Sequence, residues 1–482
     1  MAPVAHTTAG TLSGVDTARG VAFRGVRYAT APRFGLPRPV TPWDGIVAAD
    51  TIGPAAPQVV TSDPLIPDMA VGEIGEDCLR AEIWTPATSG SRPVLVWVPG
   101  GRYQIGGAAL ATYDGTRLAA AGDIVVIGVN YRLGALGFLA ADGVPSNLGL
   151  RDLVAALQWI RSEAAAFGGD PTNITLMGES AGAGAITHLL ASPAARGLFD
   201  GAIVASGAPG ATLDRETAAT VADTFLATAG VAHASGLADV ELDRLLTVQA
   251  EADTALLPTA GMMPFHPWVD GDLLPAGPLD AELSPVPLVI GTTRDEMALF
   301  RDQIPSLPAE YAIPWLAAKC ATFAADPEAS AQAGLDVCGG DLADAIADTD
   351  LHVPASLLAD RHAQRGVPVF RYRFDWDAPG LGAAHATDLP FHFGTLDVAD
   401  WRATLGADRD RAEDADRLSA AIGDAWAAFC HSKVPACAPL GEWPAHDPEH
   451  RRATLLAADV VAADDVGGAH FRAWTEPNGA NS

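Results

Sequence analysis

The sequence predicts an α/β protein built on a mostly parallel, doubly wound sheet with helical cap insertions. Three observations predict it. Between about residues 80 and 205, short apolar runs alternate with helix-length amphipathic segments, the pattern of a sheet whose crossovers are helices. Some of those runs, Pro93 to Val98 above all, are apolar at every position, as strands covered on both faces are. Finally, a G-x-S-x-G sequence, Gly178-Glu179-Ser180-Ala181-Gly182, falls between one such run (Ile174 to Met177) and a helical stretch (Ala181 to Leu190).

Taken in order, the chain opens with two small strands, Thr7 to Ser13 and Val21 to Val26. A Pro-rich loop from Ala31 to Trp43 follows, with prolines that break helix and ladder alike. Residues 52 to 77 read as irregular, with Pro54, Pro57, Pro64 and Pro67. Strands are expected at Ala81 to Trp84, Pro93 to Val98 and Asp123 to Val129. Leu150 to Phe167 has apolar residues at helical spacing (Leu150, Val154, Leu157, Ile160), and Gly168-Gly169-Asp170-Pro171 stops it. After the serine's helix comes a strand at Ala202 to Ala205. Residues 211–283 then interrupt the alternation, with helices at Arg215 to Ala229 and Val240 to Ala250. The strand Val286 to Ile290 resumes it, the mostly helical stretch Ala309 to Arg365 interrupts it again, and Val367 to Phe374 is one more strand. The interruptions at 211–283 and 309–365 are read as caps over the carboxyl edge of the sheet, where open α/β sheets bind ligands. A single catalytic domain is expected over residues 1–475, with a frayed tail at 476–482.

Composition narrows the function. Apolar residues are 49% of the 482, enough for a substantial core, and no run approaches the roughly 18 uninterrupted apolar residues of a membrane span. The start, M-A-P-V-A-H-T-T-A-G, has neither a basic segment nor an apolar one, so a cytoplasmic location is expected. A formal net charge of −29 argues against nucleic-acid and anionic-membrane partners, whose phosphates need Lys and Arg. The five cysteines, Cys78, Cys320, Cys338, Cys430 and Cys437, are irregularly spaced and show no zinc motif; free thiols are expected, with a Cys320–Cys338 or Cys430–Cys437 bridge as the alternative. No metal or organic cofactor is expected, the partner is a small-molecule substrate, and the assembly a monomer or small homo-oligomer.

The serine carries the chemistry. A tight strand-to-helix turn pushes the Ser180 hydroxyl out of the sheet, and Gly178 and Gly182 leave room for it. The following helix aims its N-terminal amides at any oxyanion formed there. A serine hydroxyl is a poor nucleophile until a base takes its proton, and the base needs an acid to orient it. Downstream, the strand Val286 to Ile290 runs into Asp295-Glu296, and the strand ending at Phe374 runs into a Gly/Ala-rich loop with His385. His392 is the nearest rival histidine, but its F-H-F context suits a packed position. Upstream, Pro93 to Val98 ends in P-G-G-R-Y-Q-I-G-G, a turn able to present converging amides.

These parts resemble the type-B carboxylesterases, the family that includes cholinesterases and bacterial para-nitrobenzyl esterases. The resemblance is collinear from about Gly10 to Trp474 and rests on F-R-G-V-R-Y-A (from Phe23), G-E-D-C-L (from Gly75), V-N-Y-R-L-G-A-L-G-F-L (from Val129), F-G-G-D-P (from Phe167), G-E-S-A-G and G-A-A-H-A-T-D-L-P-F. It implies the α/β-hydrolase fold and a triad of Ser180, Glu296 and His385. It also implies an oxyanion hole of Gly101, Arg102 and Ala181, with Ser206, Asp388 and Glu179 supporting the triad. Arg33 with Glu76, and Arg132 with Asp170, match bracing ion pairs.

The chain departs from the family at several points. No cysteine precedes Cys78 to form the family's first-loop disulfide. No tryptophan lies between Trp43 and Trp84, so a platform for quaternary amines is not expected. Pro99 stands where many bacterial relatives have histidine, and Arg102 where relatives have glycine or alanine. The function implied is a serine carboxylesterase acting through an acyl-enzyme on Ser180. Leu299 and Phe300, with Met262, Met263 and Phe265, would make a pocket for small to medium hydrophobic acyl groups. Action on amide, carbamate or lactone bonds, and a non-catalytic binding module, are the competing readings.

Overall fold

Apolar runs become strands because each can bury both faces between helices. In the computed structural model, which describes residues 2–59, 67–68, 70–304 and 307–477, they form an eleven-stranded sheet. In chain order its strands are β1 (Val15–Thr17), β2 (Gly20–Arg27), β3 (Arg80–Thr85), β4 (Arg92–Val98), β5 (Val125–Val129), β6 (Gly169–Glu179), β7 (Gly201–Ala205), β8 (Leu288–Thr293), β9 (Val369–Phe374), β10 (Ala453–Leu456) and β11 (Val460–Ala463). Their spatial order is β11-β10-β9-β8-β7-β6-β4-β5-β3-β2-β1. The run from β5 to β10 is parallel, while both margins are antiparallel.

This order has a consequence for the site. From β4 the chain steps outward to β5, then returns across β4 to start β6, so β4 and β6 are neighbours whose connections leave in opposite directions. Such a switch point opens a crevice at the carboxyl ends of the two strands.

Alternate strand residues enter opposite layers. Val94, Val96 and Val98 of β4 join one core with residues of α1 (Leu148–Glu163) and α2 (Ala181–Ala191). Leu95 and Trp97 enter the other, with Trp426 and Phe429 of the helix Ala412–Ser432. Each fully buried side chain of this size contributes about 1.5–3 kcal/mol. A third, smaller core gathers Leu316, Cys320, Leu335 and Val353 around Trp474 of the C-terminal helix Gly468–Thr475.

Several expectations are corrected. Thr7 to Ser13 is not one strand: Val4–His6 pairs antiparallel with Thr11–Ser13, and the Thr7 hydroxyl closes the turn on the Gly10 carbonyl at 2.7 Å. The helix expected at Val240 to Ala250 runs over Leu242–Ala260, because Leu245, Val248, Ala252 and Leu256 continue the buried stripe. Arg132 pairs with Asp152 at 2.6 Å and not with Asp170, whose carboxylate accepts from the Thr172 amide and hydroxyl at 2.8 and 2.7 Å. Arg33 does meet Glu76, at 3.0 Å from its Nε. All five cysteines are free and buried. Among the described residues, no helix is long and apolar enough to cross a membrane. Pro64 and residues 478–482 of the expected tail lie outside the described residues.

Candidate active site

Ser180 is the junction between β6 and α2, with φ 54° and ψ −125°. A non-glycine residue held in that region costs on the order of 1–3 kcal/mol. Two backbone bonds hold it there: the Ser180 amide donates to the Ala205 carbonyl at 2.9 Å, and the Gly184 amide donates to the Ser180 carbonyl at 2.8 Å. The sharp turn brings α2 against β4, and a Cβ at position 182 would lie 2.0 Å from the Val98 carbonyl oxygen. Glycine is therefore required there by space.

The turn after β4 faces this junction. Gly101, Arg102 and Tyr103 have φ of 114°, 56° and 58°, a run of left-handed residues that turns successive amides the same way. Among the described residues, the amides of Gly101, Arg102 and Ala181 have no backbone acceptor outside their own elements. The surrounding turn is braced. Gln58 exchanges two hydrogen bonds with the Gly106 backbone, both at 2.8 Å, and Gln104 donates to Asp253 at 3.0 Å.

The candidate acid and base follow β8 and β9. Beyond β8 the Asp-Glu pair divides. Asp295 is held by Arg294 at 2.7 Å and accepts the Ala383 amide at 2.8 Å, steadying the histidine loop from outside. Glu296 turns inward and is fully buried. Its Oε1 accepts from the Ser206 hydroxyl at 2.6 Å and the Thr293 amide at 2.8 Å. Its Oε2 lies 2.6 Å from His385 Nδ1, and His385 Nε2 lies 2.8 Å from Ser180 Oγ. A carboxylate only accepts, so the neutral imidazole carries its proton on Nδ1 and offers the Nε2 lone pair to the serine.

Carboxylates crowd the imidazole. Glu179 Oε1 is 3.2 Å from His385 Nε2 but makes no aligned hydrogen bond, so the contact is one of charge. Burial alone would depress His385, but Glu179, then Glu296 and Asp388 outweigh it and raise its pKa to about 9. Burial pushes Glu179 up to about 8, helped by Asp388 and Glu296 and opposed by His385. Glu296 is also buried, but the charge and hydrogen bond of His385, with His352 and Ser206, hold it below the usual carboxyl value.

Asp388 accepts from His392 Nε2 at 2.9 Å, and the Trp426 indole donates to His392 Nδ1 at 2.9 Å, so His392 is a packed, neutral histidine. Leu299 is buried and the Phe300 ring centre is 6.3 Å from that of His385. Met262 is 51% exposed, and Phe265 is a core residue set edge-on against Phe225 at 5.5 Å. Met263 engages His266 through its carbonyl. Cys338, Asp348 and His470 also converge, but as a hydrogen-bonded brace. The thiol, the imidazole and the Trp474 indole N–H all point at Asp348 Oδ2, at 3.3, 2.7 and 2.9 Å. Sequence reading passed over this brace and the neighbouring His352, because no motif or spacing ties them to Glu296.

Residues 1–313 and 317–474 match the profile of the carboxylesterase family. The chain belongs to that family. This carboxylesterase is 34% identical to the para-nitrobenzyl esterase of Bacillus subtilis (strain 168), with 92% of each chain covered. It is 36% identical to the phenmedipham hydrolase of Pseudarthrobacter oxydans, over 95% of this chain and 96% of that one. A thermophilic PNB esterase structure superposes with a TM-score of 0.88 at 31% identity, covering 98% of this carboxylesterase and 100% of that chain. The enzyme is a serine carboxylesterase with the α/β-hydrolase fold.

Proposed function

We propose that Ser180, His385 and Glu296 hydrolyse carboxylic esters through an acyl-enzyme. His385 Nε2 takes the Ser180 proton as Oγ attacks the ester carbonyl, and Glu296 steadies the resulting imidazolium. The tetrahedral oxyanion accepts hydrogen bonds from the amides of Gly101, Arg102 and Ala181, each worth about 3 kcal/mol of barrier. Collapse expels the alcohol, which takes the proton from Nε2. Water then repeats the sequence against the acyl carbonyl and frees the acid. The supporting observation is the continuous chain from Ser180 Oγ through His385 to Glu296, with contacts of 2.8 and 2.6 Å.

Small to medium hydrophobic acyl groups suit the site, since the Phe300 ring lies beside the imidazole and its chain neighbour Leu299 is buried and apolar. The insertions at 211–283 and 309–365 would cap the crevice. The names of the two relatives make p-nitrobenzyl esters and phenmedipham the first compounds to try. A series of p-nitrophenyl esters of increasing acyl length tests the reading. Turnover should peak at short to medium chains and vanish in Ser180→Ala, and full turnover in that variant would refute it.

A further inference from the structure

His352 differs from the other histidines near the site in what its two nitrogens face. Nδ1 lies 3.2 Å from Asp348 Oδ1, and Nε2 lies 3.1 Å from the Thr293 carbonyl oxygen. A carboxylate oxygen and a carbonyl oxygen can only accept. A neutral imidazole has one N–H, so it would turn a lone pair toward one of them; an imidazolium satisfies both. His392 and His188 show the contrast. The first accepts from the Trp426 indole, and the second donates to the Gly184 carbonyl while the Thr212 hydroxyl serves its other nitrogen. Both are complete as neutral rings, and burial pulls the pKa of His188 down to about 4.

We infer that His352 is held as an imidazolium whose positive charge keeps the Glu296–His385 pair in its working protonation state, making His352 a positioning residue for ester hydrolysis. The inference rests on the triad reading above. Asp348 is fixed for this role: its Oδ2 is taken by Cys338, His470 and Trp474, which leaves Oδ1 for His352. Asp348 and His352 begin and end one π-helical turn, whose widened loop sets the two side chains together. On the other side, Thr293 separates His352 from the triad. Its carbonyl accepts from His352 while its amide donates to Glu296 Oε1.

The charged groups facing His352 come from three places. Asp348 belongs to its own turn, Glu296 follows β8, and His470 on the C-terminal helix shares Asp348. Asp350, on the same turn, is engaged by Lys319 at 2.8 Å. Burial lowers the pKa of His352, but the hydrogen bond and charge of Asp348 and the charge of Glu296 more than offset it. The effect is reciprocal, because His352 is one of the groups that hold Glu296 ionised. The side chain is 25% exposed, so the cation is not cut off from water.

The charge answers a specific problem of this site. Glu179, Glu296 and Asp388 all draw a proton onto His385, which must be unprotonated to act as a base. A fixed cation behind Glu296 works against them. Removing it favours protonated His385, so the acid limb of the pH profile must move to higher pH.

The test is kcat/KM for a p-nitrophenyl ester from pH 5 to 10 in wild type, His352→Gln and His352→Asn. Both variants keep a hydrogen-bond donor and lose the charge. The acid limb should rise by about one pH unit in each, and His352→Arg should restore it. A destabilised but otherwise unaltered site would lower the melting temperature without moving the limb. Folded His352→Gln or His352→Asn with a wild-type limb overturns the inference. Fluorophosphonate labelling of Ser180 is run alongside: an unlabelled wild-type serine brings down the triad reading and this inference with it. Labelled, active wild type with an unmoved limb in the variants overturns the inference alone.

Discussion

Replacing Gly182 with alanine adds one carbon where there is no space. The new Cβ would sit 2.0 Å from the Val98 carbonyl oxygen, and 2.8 and 2.9 Å from the carbonyl carbons of Val98 and Pro99, where ordinary contact begins near 3.4 Å. All three atoms are backbone, so neither side can yield by rotating a side chain. The start of α2 must retreat from the end of β4 by about 1 Å, and overpacking of this kind costs about 1–3 kcal/mol of stability. The same movement separates the Ala181 amide from those of Gly101 and Arg102. A misplacement of about 1 Å at a reacting centre costs about 100-fold in rate. In stopped-flow assays with a p-nitrophenyl ester, kcat for Gly182→Ala should therefore fall about 100-fold, while KM changes much less. Wild-type kcat with an unchanged melting temperature would show that the β4–α2 contact does not set the oxyanion geometry.

Glu179→Gln removes the carboxylate that contributes most to raising His385 above its ordinary value, against the opposing effect of burial. Because activity is lost as pH falls through the pKa of the base, the wild-type acid limb should lie above the free-histidine value of about 6.5. The acid limb of the Glu179→Gln variant should lie lower than that of wild type; a limb that stays or rises contradicts the assignment. Ser206→Ala takes a 2.6 Å donor from buried Glu296, costing about 1–3 kcal/mol in urea melts together with a drop in kcat/KM. Unchanged melts and kinetics would remove Ser206 from the support of the acid. Asp152→Ala strands the buried Arg132 guanidinium, 6% exposed, and should cost about 3–5 kcal/mol. An Asp170→Ala variant should cost far less, and the reverse order would contradict the observed pairing.

Much of the fold was legible because a doubly covered strand and an amphipathic helix differ in period. β4 was readable from that period, the turn at Ser180 from the G-x-S-x-G sequence between strand and helix, and the candidates at 296 and 385 from their places after later strands, with the resemblance choosing Glu296 over Asp295. What stayed hidden was any choice among equivalent groups. The resemblance matched Arg132 with Asp170, and only the position of α1 against the Arg132 loop shows that Asp152 is the partner. The apolar character that makes Phe265 a pocket candidate does not foretell its edge-on packing against Phe225. The Thr7 to Ser13 segment hides a hairpin turn closed by a threonine hydroxyl, a signal too short to separate from a strand. His352 lies 56 residues from Glu296 and is connected to it through a backbone carbonyl, which leaves no pattern in the chain.

The most direct measurement is mass spectrometry of the intact enzyme after brief exposure to a fluorophosphonate, followed by peptide mapping. One equivalent of label should appear on Ser180, with esterase activity disappearing in step. Label at another serine, or full ester turnover once Ser180 is blocked, would contradict the assignment of the nucleophile.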